Sequence, residues 1–206
     1  MSSHPLVGVL AFQGDVREHH EALRKLNVAS IDVRSADEFE KVDALIIPGG
    51  ESTVISKFLN EAGLDQRIIE RAKDERFPIY GTCAGAILLA SEIHQDDQVK
   101  PLGLIDITVT RNAYGRQAES FHGSISLTFS DVKEMSGTFI RAPKIVRVGP
   151  SVTVLGTHAG EPVLCRQRNI LVSTFHPELS EVPSRIHRFF LSLLNRRDAP
   201  PHSVPS

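Results

Sequence analysis

The segment 79–87 (IYGTCAGAI) constrains the fold more than any other stretch, because it joins two apolar runs through a cysteine flanked by glycines. Residues 77–80 are typical of a buried strand, and residues 84–90 of a buried helix. Gly81 and Gly85 lie two positions either side of Cys83, the spacing of a sharp turn that presents a nucleophile and needs unusual backbone angles. The helix N-terminus would favour the thiolate form of the sulfur. From this segment alone, a buried structural cysteine is an equally good interpretation.

Apolar runs alternate with amphipathic segments through the first 95 residues, which predicts a parallel sheet covered by helices on both sides. Predicted strands are 6–12, 28–33, 43–47 and the strand before Cys83. Predicted helices follow Asp15, which could cap the first of them, and cover 51–60, 65–73 and 84 to about 93. Short β patterns fill 103–110 and 123–175, and a last helix covers 183–195. We therefore predict a three-layer α/β fold, with a mostly parallel central sheet extended by mixed or antiparallel strands, in one domain of residues 1–195.

Composition narrows the class of protein. The 206 residues have a formal net charge of −2, so no basic field favours nucleic acid or an anionic membrane. No apolar run approaches the roughly 20 residues that span a bilayer. The two cysteines, Cys83 and Cys165, make no disulfide framework. We expect a cytoplasmic protein that binds neither nucleic acid nor membrane, with a disordered tail over 196–206.

The best candidate for a base that activates Cys83 is His176, in the sequence TFHPE (174–178). An apolar strand precedes it, and open α/β folds bind ligands at the carboxyl ends of their strands. On an extended backbone Glu178 shares a face with His176, so it could hold the imidazole while that ring exchanges a proton with the thiol. For the other histidines structural roles are favoured, with His19 and His20 assigned to a polar helix face. No ligand cluster accompanies the histidines, so no metal is expected.

A second motif, PGGEST (48–53), follows another predicted strand and should reach the same sheet edge. Its glycines would let backbone amides approach a ligand, so Gly50 and Ala84 are the predicted donors to an oxyanion. The alternative is a plain turn with Ser52 or Thr53 as the helix cap. A phosphate-binding loop is disfavoured, because the lysine of that motif is absent.

Arginines follow in two loops, RNAYGRQ (111–117) and FIRAP (139–143). Arginine can hold a substrate carboxylate in a bidentate fork. From the residues alone, solvated loop charges are the preferred interpretation.

Taken together, PGGES (48–52), GTCAG (81–85) and HPE (176–178) resemble the class I (triad) glutamine amidotransferases. Within that class the chain is similar to the glutaminase subunits of pyridoxal 5′-phosphate synthase. The further similar segments are LAFQGDVREH (10–19), TCAGAILLA (82–90), RNAYGRQAESF (111–121), FIRAP (139–143) and TFHPEL (174–179). The resemblance implies a flavodoxin-like glutaminase fold and hydrolysis of L-glutamine to L-glutamate and ammonia. It also implies transfer of the ammonia to a synthase subunit in a hetero-oligomeric complex, without any cofactor.

Carried over by position, the resemblance implies a triad of Cys83, His176 and Glu178. The glutamine contacts that it implies are Gly50, Glu51, Ser52, Arg111, Ile140 and Arg141. It also links Gln13 to activation by the synthase. Two alternatives stay open: a glutaminase subunit of another amidotransferase, and a non-catalytic regulatory module on the same fold.

Overall fold

The computed structural model describes residues 5–95, 98–111, 120–180 and 184–194. Five parallel strands form one half of the large sheet, in the order β2-β1-β3-β4-β12. They are β1 (Leu6–Leu10), β2 (Ala29–Val33), β3 (Ala44–Ile47), β4 (Ile79–Thr82) and β12 (Ile170–Ser173). All four residues of β3, β4 and β12 are buried, as expected of strands covered on both faces.

Antiparallel strands extend this sheet beyond β12, in the order β11-β10-β7-β8. They are β7 (Ser120–Leu127), β8 (Glu134–Ile140), β10 (Thr153–His158) and β11 (Glu161–Gln167). A separate three-stranded sheet contains β5 (Ala90–Ile93), β6 (Ile105–Thr110) and β9 (Lys144–Val148). The prediction of an α/β fold with a parallel sheet and an antiparallel extension is confirmed.

Helices cover both faces of the large sheet. They are α1 (Val16–Arg24), α2 (Ala36–Phe39), α3 (Ser52–Glu61), α4 (Leu64–Arg71), α5 (Ala84–Leu89) and α6 (Arg185–Leu194). One apolar cluster contains Phe39, Ile55 and Ile68 from the helices of one face. The other contains Leu23 of α1 and Phe190 of α6. Among the described residues, no helix is long and apolar enough to cross a bilayer.

One local prediction was wrong, and one helix was missed. The helix after Cys83 does not continue to about residue 93, because α5 ends at Leu89 and the next four residues form β5. The amides of residues 102–104 bind the carbonyls of Leu88, Leu89 and Ala90, so tertiary contacts capture the helix end. Helix α2 was not predicted, since four residues held by a Ser35–Glu38 capping box are too short to show a period. The proposed tail lies outside the described residues, and the domain boundary stays a prediction.

The topology determines where the candidate residues meet. Parallel strands β1, β3, β4 and β12 all end at the same edge of the sheet, on either side of the point where the strand order reverses. The segments that follow them are 11–15, 48–51, Cys83 and 174–178. Four separated parts of the sequence therefore converge on one edge.

Candidate active site

Cys83 is the turn between β4 and α5, and its own backbone carries the unusual conformation, with φ 47° and ψ −99°. Such an angle is uncommon for a residue with a side chain and is typical of functional turns. The flanking glycines, Gly81 and Gly85, are needed because neighbouring backbone packs closely against them, and neither has a positive φ. A Cβ on Gly81 would lie 2.6 Å from the Gly85 backbone, and one on Gly85 would lie 2.1 Å from the Ile47 carbonyl oxygen. The expectation that the glycines supply the turn's angles is corrected on this point.

The backbone of Cys83 ties the turn to the neighbouring strand, since its amide donates to the Ser173 carbonyl at 2.8 Å. The side chain is only 6% exposed, and its Sγ lies 3.7 Å from the Ile140 carbonyl oxygen. A residue of the FIRAP segment thus lies directly beside the thiol.

His176 is held by a buried carboxylate. Its Nδ1 donates to Glu178 Oε1 at 2.8 Å, and the Glu178 side chain has no exposed surface. The prediction that His176 and Glu178 share a face of an extended backbone was wrong. Pro177–Leu179 form a 3-10 turn instead, and this turn brings the Glu178 carboxylate back to the ring. The other ring nitrogen, Nε2, is buried without a hydrogen-bond partner among the described residues. It is therefore available for proton exchange with a group in the pocket.

A second carboxylate faces the same ring nitrogen. Asp15 Oδ2 lies 3.1 Å from His176 Nδ1. Asp15 occupies the N-cap position of α1, yet its side chain makes no cap hydrogen bond, so its predicted role as a cap was wrong. The sequence carried no signal for the contact with His176, because the two residues are far apart in the chain.

The charge balance at His176 favours the protonated ring. Burial disfavours the imidazolium, but the carboxylates of Asp15 and Glu178, with the nearby Cys83 sulfur, outweigh burial and raise the pKa of His176 to about 12. The same surroundings suit a thiolate paired with an imidazolium.

The PGGEST segment forms a tight loop at the start of α3. Its N-cap is Glu51, whose carboxylate accepts from the Thr53 amide at 3.3 Å, so the alternative with Ser52 or Thr53 as cap was wrong. Gly50 has φ 154°, and the Glu51 amide donates to Gln13 Oε1 at 2.6 Å. Residues with a side chain rarely adopt this φ, and a Cβ on Gly50 would also lie 3.1 Å from the Gly14 Cα, so the loop favours glycine there.

A pocket of about 300 Å³ opens at this edge. Its lining includes nine predicted residues: Gln13, Gly50, Glu51, Ser52, Cys83, Arg111, Ile140, Arg141 and His176. Glu178 and Ala84 are absent from the lining, since Glu178 lies behind His176 and Ala84 is buried in the first turn of α5. Sequence reasoning missed Gly14, Asp15 and Ile87, which also line the pocket. Residues 112–119 of the RNAYGRQAESF segment lie outside the described residues.

Two of the charged lining residues contact each other in this structure. Arg111 Nη2 lies 3.2 Å from Glu51 Oε1 and 3.4 Å from Thr53 Oγ1. Arg141 is exposed and has φ 42°, a left-handed conformation uncommon for arginine. The pocket lining therefore contains two acidic side chains, Asp15 and Glu51, and two basic ones, Arg111 and Arg141.

A buried polar group lies behind the pocket. His19, assigned from the sequence to a polar face, is fully buried, and that assignment was wrong. Its Nε2 lies 3.2 Å from Thr82 Oγ1 and 3.6 Å from Glu178 Oε1, and its Nδ1 lies 3.0 Å from His187 Nε2. Burial, with the nearby His187, lowers the pKa of His19, and burial lowers the pKa of His187 to about 4. Both rings are therefore neutral. The hydrogen bonds of His19 to Thr82 and His187 replace those that it would make to water on an exposed helix face.

A metal ion is an alternative explanation for the group formed by Asp15, His176 and Glu178, because one ligand atom from each lies within 4.8 Å of the others. Two tetrahedral zinc ligands would lie about 3.3 Å apart. The observed 2.8 Å from Glu178 to His176 Nδ1 is shorter and matches a charge-assisted hydrogen bond. The arrangement is better described as a histidine held by two carboxylates.

Comparison with known proteins agrees with this architecture. Two relatives are named pyridoxal 5′-phosphate synthase subunit PdxT. That of Thermotoga neapolitana is 48% identical over 91% of this chain and 98% of its own length. That of Thermus thermophilus is 47% identical over 91% and 97%. A crystal structure of a glutamine amidotransferase, 46% identical, superposes with a TM-score of 0.86 over 92% of this chain and 98% of that one.

A more distant structure shares the fold alone. It is the crystal structure of a glutamine amidotransferase from Thermotoga maritima, 13% identical, with a TM-score of 0.61 over 96% of this chain and 87% of that one. Residues 9–196 match the sequence profile of the SNO glutamine amidotransferase family. This chain belongs to the SNO glutamine amidotransferase family.

Proposed function

We propose that this protein is the glutaminase subunit of a pyridoxal 5′-phosphate synthase. It hydrolyses L-glutamine to L-glutamate and ammonia, and passes the ammonia to a synthase subunit. The observation that carries the proposal is the shared pocket of Cys83 and the carboxylate-bound His176, in a member of this family. Relatives that carry the name of the synthase subunit match nearly their whole length, which favours this partner over those of other amidotransferases.

The chemistry is acyl transfer in two steps. The Cys83 thiolate attacks the side-chain amide carbon of glutamine, and the oxyanion that forms is stabilised by the amides of Gly50 and Ala84. His176 gives its proton to the departing ammonia, which leaves a γ-glutamyl thioester on Cys83. The neutral ring then takes a proton from water, the hydroxide attacks the thioester, and glutamate leaves as the thiolate returns. Glu178 holds the ring for both transfers.

The charges at the pocket mouth suit free glutamine. Glu51 is placed to receive the α-ammonium group, while Arg111 and Arg141 would receive the α-carboxylate. In this structure Glu51 Oε1 and Arg111 Nη2 form an ion pair at 3.2 Å. The substrate would replace this ion pair with two ion pairs of its own, which favours a zwitterion over an uncharged amide.

The link to the synthase runs through Gln13 in this proposal. The Gln13 side chain accepts from the Glu51 amide, one residue after the predicted oxyanion donor Gly50. A partner that contacts the segment after β1 would therefore act on the oxyanion loop. We expect weak activity of the isolated chain and strong activity in the complex. We also infer a cytoplasmic location, consistent with two free cysteines.

The test is glutamate release with and without purified synthase subunit, for wild type, Cys83→Ala and Cys165→Ala. Wild type should respond strongly to the synthase, and Cys83→Ala should be inactive under both conditions. Cys165→Ala is the matched control, because burial raises the pKa of that thiol to about 12 and keeps it unreactive. Near-normal turnover by Cys83→Ala, or equal wild-type rates with and without the synthase, would contradict the proposal.

A further inference from the structure

Asp15 has a position that its place in the helix does not explain. Aspartate is among the preferred N-cap residues, and Asp15 is at the N-cap of α1, yet its carboxylate gives no cap hydrogen bond. The carboxylate instead lies 3.1 Å from His176 Nδ1, the atom that also donates to Glu178 at 2.8 Å. One ring nitrogen is thus shared by two carboxylates.

The contact is held by the surrounding backbone. The Asp15 amide donates to the Gly49 carbonyl at 3.1 Å. A Cβ on Gly49 would lie 2.5 Å from His176 Cε1 and 2.9 Å from Asp15 Oδ2, so these three residues pack without spare room. The Asp15 carboxylate is therefore placed by the loop itself.

The two carboxylates differ in their access to solvent. The Glu178 side chain is fully buried, whereas that of Asp15 is 32% exposed and lines the pocket. Glu178 is a permanent part of the interior. Asp15 faces the space that substrate and water occupy.

We propose that Asp15 is a positioning residue for the glutaminase reaction, acting through His176 to favour the thiolate–imidazolium pair before glutamine is attacked. The inference rests on the proposed function for its biological meaning, but the thiol chemistry can be measured without it. A negative charge 3.1 Å from the ring favours the protonated imidazole. A proton that leaves Cys83 is then retained on His176.

The other charged and titratable groups around His176 limit the size of the effect. Glu178 faces it from the 3-10 turn and Cys83 from the turn after β4. His19 of α1 is neutral and lies 3.6 Å from Glu178. Since an opposite charge at this range shifts a pKa by about 1–3 units, and Asp15 is partly solvated, we expect its removal to lower the pKa of His176 by about 1 unit.

The experiment measures the rate of Cys83 alkylation by iodoacetamide against pH, read by peptide mass spectrometry. Wild type is compared with Asp15→Asn, which keeps the shape and the cap preference and removes the charge. Asp15→Glu tests rescue by a longer carboxylate. Glu18→Gln is the control, because it removes one negative charge from the same helix at a residue that pairs with Arg17.

The alkylation rate rises again at the pH where the imidazolium loses its proton, because a free thiolate is more reactive than a paired one. We expect the midpoint of this step to fall by about 1 pH unit in Asp15→Asn, with partial return in Asp15→Glu and no shift in Glu18→Gln. An Asp15→Asn midpoint equal to that of Glu18→Gln would overturn the proposal. Asp15→Ser, also a good cap, replaces the asparagine variant should that variant fail to fold.

Glutamate release in the presence of the synthase gives the second readout. In Asp15→Asn the alkaline limb of kcat/KM, where His176 loses the proton that it gives to ammonia, should move to lower pH by the same amount while KM for glutamine stays constant. A shifted alkylation midpoint in a protein without glutaminase activity would refute the proposed function and keep the role of Asp15. Full glutaminase activity with an unshifted midpoint would refute the role of Asp15 alone.

Discussion

Two buried threonines at the ends of adjacent parallel strands provide a direct test of the polar group behind the pocket. Thr82 Oγ1 accepts from the Gly49 amide at 2.9 Å and lies 3.2 Å from His19 Nε2. Thr174 Oγ1 is equally buried but has no hydrogen-bond partner among the described residues. Valine has nearly the same shape as threonine. Thr82→Val and Thr174→Val are therefore the same chemical change in two opposite hydrogen-bonding environments.

The structure predicts opposite effects on the free energy of unfolding. Thr82→Val leaves the buried Gly49 amide and the buried His19 ring without their partner, at about 1–3 kcal/mol each. The added methyl returns about 0.8 kcal/mol through apolar burial. The net loss is about 1–5 kcal/mol. Thr174→Val breaks no hydrogen bond and removes a buried hydroxyl that has no partner. The free energy of unfolding of this variant should therefore equal that of wild type or exceed it by about 1 kcal/mol.

The assay is equilibrium urea unfolding followed by circular dichroism, with Thr82→Ser as a further control that keeps the hydroxyl. At an m-value of about 2–3 kcal/mol/M, the midpoint of Thr82→Val should fall by about 1 M. Thr82→Ser should lie between wild type and Thr82→Val. Equal losses for the two valine variants would refute the reasoning, because the loss would then follow from changed packing and not from the abandoned hydrogen bonds.

Two further predictions concern the glycine turn and the buried histidines. Gly85→Ala should lower the free energy of unfolding by about 3 kcal/mol or more, since the added Cβ would lie 2.1 Å from the Ile47 carbonyl oxygen. Gly63→Ala has open space around the added Cβ but a φ of 63°, so it should lower the same quantity by about 1 kcal/mol in the same assay. His187 has a pKa lowered to about 4 from an ordinary 6.5, so the unfolded chain binds more protons between these values. Stability should therefore fall by about 3 kcal/mol as pH drops from 6.5 to 4, and His187→Gln should show a shallower dependence.

The sheet could be predicted from the sequence because its central strands are continuous apolar runs of a length that suits strands. The convergence of Cys83, His176 and Gly50 followed from topology alone, since strand ends of a parallel sheet share one edge. What made this possible is that each of these residues lies in the short segment that follows its strand. Local sequence and global position agree there.

The interior polar group could not be predicted in the same way. A helical period counts His19 as polar and assigns it to solvent, although hydrogen bonds to Thr82 and His187 satisfy it in the core. Asp15 likewise carries a local cap signature, but a contact 161 positions away in the chain determines its direction. Short-range patterns contain no information on such partners.

The geometry of one peptide connects these observations. Gly50 N and Gly49 O belong to the same planar peptide unit, so the direction of the predicted oxyanion donor is tied to the partner of that carbonyl. Its partner is the Asp15 amide, at 3.1 Å. On the preceding side, the Gly49 amide is held by Thr82. The Gly50 amide can therefore turn only if the hydrogen bond from Asp15 breaks, so any motion of the segment after β1 must change both the oxyanion donor and the carboxylate beside His176.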